Sequence, residues 1–172
     1  MVRGLLVSLF LLLPLAATAQ IARFVGDYAG SAEVETWDGE IVQRDMSVSI
    51  TGTGDGFEVK WSSTTWRDGK GKSKTYRIGF VPTDRDSVFA AAMARNVFGH
   101  AVPLDPMKGE PYVWARIEGD TLTVFSMYVG PNGGYEIQQF DRTLVPEGLR
   151  LDFAASGDGK PRREVSTVLK RQ

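Results

Sequence analysis

The sequence predicts an all-β chain folded as a single antiparallel meander β-barrel of about eight to ten strands. Three observations point there. Runs of alternating apolar and polar residues recur from Phe24 onward. Each run stops at a short cluster of Gly, Asp, Asn or Pro, and these clusters recur too often for helices to fit between them. A meander of this many strands has two outer edges that template aggregation, and closing the sheet removes both. A two-sheet β-sandwich is the alternative, although sandwiches usually use Greek-key crossovers rather than sequential hairpins.

The elements follow in order. Phe24, Gly26, Tyr28, Gly30, Ala32 and Val34 share one face of the first strand, and Asp27, Ser31, Glu33 and Glu35 share the other. Trp37-Asp38-Gly39-Glu40 then supplies an Asp-Gly turn. Residues 41–50 form the next run and end in Thr51-Gly52-Thr53-Gly54-Asp55-Gly56. Phe57, Val59 and Trp61 alternate with Glu58, Lys60 and Ser62, and Asp68-Gly69 turns the chain into residues 73–81, where Tyr76, Ile78 and Phe80 share a face. The alanines of residues 88–94 favour helix, but the turn before them favours a returning strand, and a short strand is expected. Residues 93–111 show no period and hold three prolines and two glycines; irregular loops of this length are usually functional or mobile. Val113, Ala115 and Ile117 restore the alternation. Turns at Gly119-Asp120, Pro131 to Gly134, Pro146 to Gly148 and Gly157 to Lys160 separate the last five runs, the final one carrying Val165, Thr167 and Leu169.

Residues 1–19 read as a secretory signal peptide, with Arg3 as its positive end, an apolar core at residues 5–17 and the small-x-small site Ala17-Thr18-Ala19. That core is short of the roughly 18–20 residues that cross a bilayer. Residues 20–172 are then one β-barrel domain, periplasmic or secreted, with no membrane span expected. The chain's net charge of −1 becomes one unit more negative when Arg3 leaves, which disfavours nucleic acid as a partner. Lys70, Lys72 and Lys74 after Arg67, and the pair Arg162-Arg163, read as solvated hairpin ends in preference to an anion-reading patch. With no cysteine, the chain has no disulfide, thiol nucleophile, iron–sulfur cluster, thiolate zinc site or lipid attachment.

The segment Phe24-Val25-Gly26-Asp27-Tyr28-Ala29-Gly30 resembles the opening strand of calycin-type barrels: the lipocalins, fatty-acid-binding proteins, avidins and nitrobindin-like proteins. These begin with a Gly-x-Trp pattern, and Tyr28 stands where the Trp would be. The resemblance implies that Tyr28 closes one barrel end and packs on a basic residue of the last strand, Lys170 or Arg171. It departs from the individual families. The tight turn at Asp38-Gly39 leaves no room for the helical lid of fatty-acid-binding proteins, no lipocalin C-terminal helix is evident, and no His follows His100 to bind haem as in nitrobindin-like proteins. The chain also resembles exported bacterial proteins, which implies no activity.

Catalysis is not expected. His100 is the single histidine, in Phe98-Gly99-His100 with Asp105 nearby, and no nucleophile elbow or Ser-x-x-Lys motif accompanies it. The glycine-rich segment 52–56 lies between two strand runs, so it is a turn rather than a phosphate loop. Asp84 and Asp86 lack the rest of a calcium loop. No cofactor or metal is expected. Leu104 and Met107 offer apolar contacts, and Tyr112 and Trp114 amphipathic ones, suited either to a lid or to a plug at the barrel mouth. Gln138 and Arg142 share a face with Phe140 and Leu144, and Ser126 and Tyr128 share one with Leu122 and Val124. Facing inward, these make a cavity with polar anchors; facing outward, they are ordinary surface. The function expected is binding of a small apolar or amphipathic molecule, with Tyr28, Leu104, Met107, Tyr112, Trp114, Arg116, Tyr128 and Arg142 as candidate ligand contacts. The alternative is a cell-envelope interaction or structural domain with a filled interior.

Overall fold

The computed structural model describes residues 20–36, 39–95, 101–102 and 104–172. The signal peptide expected at 1–19, the Asp38 half of the first turn, and His100 lie outside the described residues.

The expected barrel is present. Ten strands pair in antiparallel sequence order: β1 (Gly26–Glu35), β2 (Ile41–Gly52), β3 (Phe57–Arg67), β4 (Lys70–Pro82), β5 (Val88–Ala91), β8 (Tyr112–Glu118), β9 (Thr121–Val129), β10 (Tyr135–Val145), β11 (Gly148–Gly157) and β12 (Lys160–Arg171). β12 returns to β1 through Tyr28 opposite Arg171 and Ala29 opposite Lys170, which closes the cylinder. The ambiguous alanine stretch is a strand in its first half. β6 (Ala94–Arg95) and β7 (Ala101–Val102) form a separate two-stranded pair, and a 3₁₀ turn covers Pro106–Lys108, so the segment expected to be irregular holds short local structure. Asp105 caps that turn, its carboxylate accepting from the Met107 N–H at 3.0 Å.

Turn chemistry sets the register. Asp68-Gly69 and Asp158-Gly159 both take positive φ at each residue, which is the two-residue hairpin geometry that matches strand twist. The first places Arg67 opposite Lys70; the second places Gly157 opposite Lys160. Inward residues then form rows across neighbouring strands. On one wall, from the β2–β3 end upward, the rows are Ile50-Val59-Ile78, Val48-Trp61-Tyr76, Met46-Ser63-Lys74 and Arg44-Thr65-Lys72. On the other, they run Leu122-Arg142-Leu151, Val124-Phe140-Phe153 and Ser126-Gln138-Ala155. Both walls grade from aliphatic through aromatic to polar.

The apolar end is a packed floor. Phe57 has no exposed surface and stacks on Phe80 (centroids 4.9 Å apart) with Phe89 edge-on at 5.0 Å. Ile21 and Phe24 cap this end from below, in a turn where the Phe24 N–H donates to the Ile21 carbonyl. Tyr28 belongs to the same layer. Its hydroxyl donates to the Phe24 carbonyl at 2.9 Å and accepts from the Arg171 guanidinium at 2.7 Å, and that guanidinium lies 4.9 Å from the ring centroid. The basic partner of Tyr28 is therefore Arg171, not Lys170. Gly26 makes room for it: at φ +150°, a Cβ there would sit 2.6 Å from Arg171 Nη1.

Burial raises the Tyr28 pKa above its ordinary 10.0, with Arg171 opposing and Asp27 adding to the rise. A folded pKa above the unfolded one means the neutral hydroxyl contributes stability that is fully present below the unfolded value and lost as pH rises through the folded one. Denaturant midpoints measured across the alkaline range should therefore fall more steeply for the native chain than for Tyr28→Phe. Equal slopes would remove this latch from the account.

Candidate functional site

Above the floor the barrel is hollow. The cavity has a volume of about 1740 Å³ and opens at the end where the Asp68-Gly69 and Asp158-Gly159 hairpins turn. Such a volume exceeds the usual range of small-molecule sites, about 300–1,000 Å³. The interior is open rather than filled.

Its deepest charged group is Arg142. The side chain is 2% exposed, in a row with Leu122 and Leu151, and its guanidinium carbon lies 5.5 Å from the Phe140 ring centroid and 5.9 Å from that of Trp61. Nε and Nη1 have no hydrogen-bond partner among the described residues. Burial pulls the Arg142 pKa down to about 10, against a small opposing effect of Asp141, so the group stays charged at neutral pH. The Asp141 carboxylate faces the other way, accepting from Thr123 at 2.6 Å and Gln139 at 2.7 Å on the outer wall. An unpaired buried cation is costly, and aromatic faces offset only part of that cost.

Aromatic rings line the middle of the cavity. Trp61 stacks on Tyr76 at 5.3 Å and meets Phe140 at 5.8 Å, and Phe140 meets Phe153 at 4.8 Å. Polar groups take over nearer the mouth. Gln138 donates to Glu136 at 2.7 Å, and the Tyr128 pKa is raised by burial first and by the Glu136 carboxylate beside it second. The mouth itself carries seven cations against four carboxylates. Some are paired, as in Arg67 with Glu40 at 3.3 Å and Arg162 with Asp158 at 3.4 Å. Arg163 instead lies over Phe153 at 5.2 Å, and Arg44 donates to the Thr65 hydroxyl at 3.2 Å. Burial and the facing Arg163 charge both pull the Arg44 pKa down.

The wall has a seam. β4 pairs with β5 only through Phe80–Pro82, and residues 70–78 pair on that side with no strand among the described residues. Gly109 and Pro111 line the cavity near this gap together with Tyr76 and Val113.

The candidate contacts divide. Arg142 and Tyr128 line the cavity, with Gln138, Phe140, Ser126 and Val124 from the same faces of β10 and β9. Tyr28 is buried in the floor beneath it. Tyr112, Trp114 and Arg116 lie on the outer face of β8, because Val113, Ala115 and Ile117 take the inner one. There Trp114 stacks on Phe125 at 4.8 Å and Arg116 pairs with Glu118 at 3.4 Å, so these three do not touch the cavity. Met107 is 79% exposed and Leu104 half-buried; neither lines the cavity, so neither forms a lid or plug over it. Trp61, Phe153 and Arg44 line it and were not candidate contacts from sequence, and Arg163, read there as part of a solvated hairpin end, lines it as well.

Among the described residues no set of three or more acidic or His side chains gathers as a metal site, and no helix is long and apolar enough to cross a membrane. No protein-family model matches the chain, and no curated protein or solved structure matches it either.

Proposed function

We propose that this chain is an exported, non-enzymatic β-barrel that binds a small amphipathic molecule through an anionic group held at Arg142. The observation that carries the reading is a buried guanidinium with two unpartnered nitrogens at the bottom of an open, aromatic-walled cavity. An anion reaching it replaces an uncompensated charge with a charge-assisted hydrogen bond, and the body of the molecule lies against Trp61, Tyr76, Phe140 and Phe153. The cationic mouth raises the local concentration of anions and speeds entry. The alternative of an interaction domain with a filled interior is disfavoured by the volume left open inside. The export part rests on the leader pattern at residues 1–19.

A matched pair of fluorescent probes tests the reading. Anilinonaphthalene sulfonate and N-phenylnaphthylamine share their rings and differ by the sulfonate. The sulfonate probe should bind residues 20–172 at least about tenfold more tightly, since hydrogen bonds to a charged group contribute about 1.5–3 kcal/mol. Arg142→Met should bring the two affinities together. If the neutral probe binds as well as the anionic one to the native chain, the Arg142 anchor is wrong; if neither binds, so is the carrier reading.

A further inference from the structure

The cavity holds a second cationic station that the single anchor does not use. Arg44 on β2 and Arg163 on β12 both line it, from the two strands that flank β1; burial first, and the Arg163 charge second, pull the Arg44 pKa down. Neither has a carboxylate partner among the described residues: Arg44 donates to Thr65, and Arg163 stacks on Phe153. Arg44 is half-buried, so the repulsion between the two guanidiniums is only partly screened by water. The paired guanidiniums suit an oxyanion between them, each supplying donors in a planar fork.

Register places this station relative to the first. The Arg142 guanidinium lies over Trp61, whereas Arg44 lies opposite Thr65, four residues further along β3. At about 3.3 Å per residue, the two register positions are about 13 Å apart along β3, or about 10 Å along the barrel axis at the usual strand tilt. The space between them is bounded by Met46, Ser63, Lys74, Phe140, Phe153 and Val165, a band apolar but for Ser63 and Lys74. We infer that the ligand is an elongated molecule with an anionic group at each end and an apolar middle, one end at Arg142 and the other between Arg44 and Arg163. This rests on the carrier reading above and narrows its ligand class.

Isothermal titration with dodecanoate and dodecanedioate separates the two claims. Dodecanedioate should bind the native chain about tenfold or more tightly than dodecanoate, one molecule per barrel. Arg44→Gln and Arg163→Gln should each bring dodecanedioate close to the dodecanoate affinity measured on the same variant, with the larger loss falling on dodecanedioate, whereas Arg142→Met should weaken both ligands. Equal affinities in the native chain overturn the two-ended ligand but leave the single anchor standing. So does an equal loss for both ligands in Arg44→Gln, which is what general attraction at the mouth produces. Two dodecanoates per barrel, one of them lost in Arg44→Gln, mean that two separate monoanions are held, and this overturns the inference as well. Binding of neither compound overturns the inference, and together with failure of both fluorescent probes it removes the carrier reading.

Discussion

Arg142→Met is expected to make the ligand-free barrel more stable, by about 1–4 kcal/mol, the range in which exchanging a buried ion pair for apolar groups of similar volume stabilises, since an unpaired charge lacks even the partner that offsets its desolvation. The physical reason is local. The guanidinium is buried between Leu122 and Leu151, two of its nitrogens have no partner, and the nearest acid, Asp141, points out of the barrel. Methionine keeps the length and most of the volume, adapts to the Trp61 and Phe140 faces, and removes the desolvated charge. For a chain of this size, each kcal/mol moves the thermal midpoint by about 2–4 °C. Thermal unfolding of native and substituted chains without ligand measures it. Gained stability together with lost discrimination between the two fluorescent probes is the signature of a residue kept for binding at a cost to the fold. A variant that unfolds earlier than the native chain would make Arg142 a structural residue and withdraw the anchor.

Phe57→Ala should cost about 3–5 kcal/mol, the largest loss expected from any single truncation considered for this chain. Phe57 has no exposed surface and meets two rings at about 5 Å, so its removal leaves a cavity that neighbouring strands, fixed by their ladders, do not collapse into. Phe125→Ala is the companion measurement. That ring lies on the outer wall against Trp114 and stays partly in contact with water, so its loss should cost about 1 kcal/mol. Chemical denaturation of both variants reads the difference. Similar losses would mean that the inner and outer faces of the barrel have been assigned the wrong way round.

Strand order and closure were legible because the signals are local. Period-two alternation marks each strand, and Asp-Gly pairs at 68–69 and 158–159 mark hairpins with positive φ. Which face points inward was legible for β1, where Tyr28 and Val34 alternate with acids. On β8 the buried set is Val113, Ala115 and Ile117, and the expected ligand contacts Tyr112, Trp114 and Arg116 lie on the opposite face. The inward face was not legible for β10: Arg142 shares a face with Phe140 and Gln138, and neither face of that strand is apolar. Pairing settles it, since Leu122 opposite Arg142 and Leu151 on the other side are both buried. Alternation along each strand reaches Trp61 from Val59 on β3 and Arg44 from Ile50 on β2, and the pairing of Ile50 with Val59 across the four-residue turn puts both sets on one face, a signal available in the sequence once every register is assigned. The outward position of Trp114 misled because large aromatic rings pack on outer walls as readily as inside when a neighbour such as Phe125 covers them.

The contact that seals the cylinder joins residues far apart in sequence: Tyr28 pairs with Arg171, and the Gln172 N–H donates to the Asp27 carbonyl at 2.9 Å. Every other seam between neighbouring strands of the barrel joins residues much closer together along the chain. Closure therefore carries the highest entropic cost of any step and comes late in folding, after the hairpins have formed. Until β12 has been made, β1 presents an open edge, with the Arg171 site on Tyr28 unfilled. A chain threaded across a membrane amino end first would remain an unsealed, flexible sheet throughout its passage. It would gain its closed, hollow interior only on the far side, when the carboxyl-terminal strand arrives.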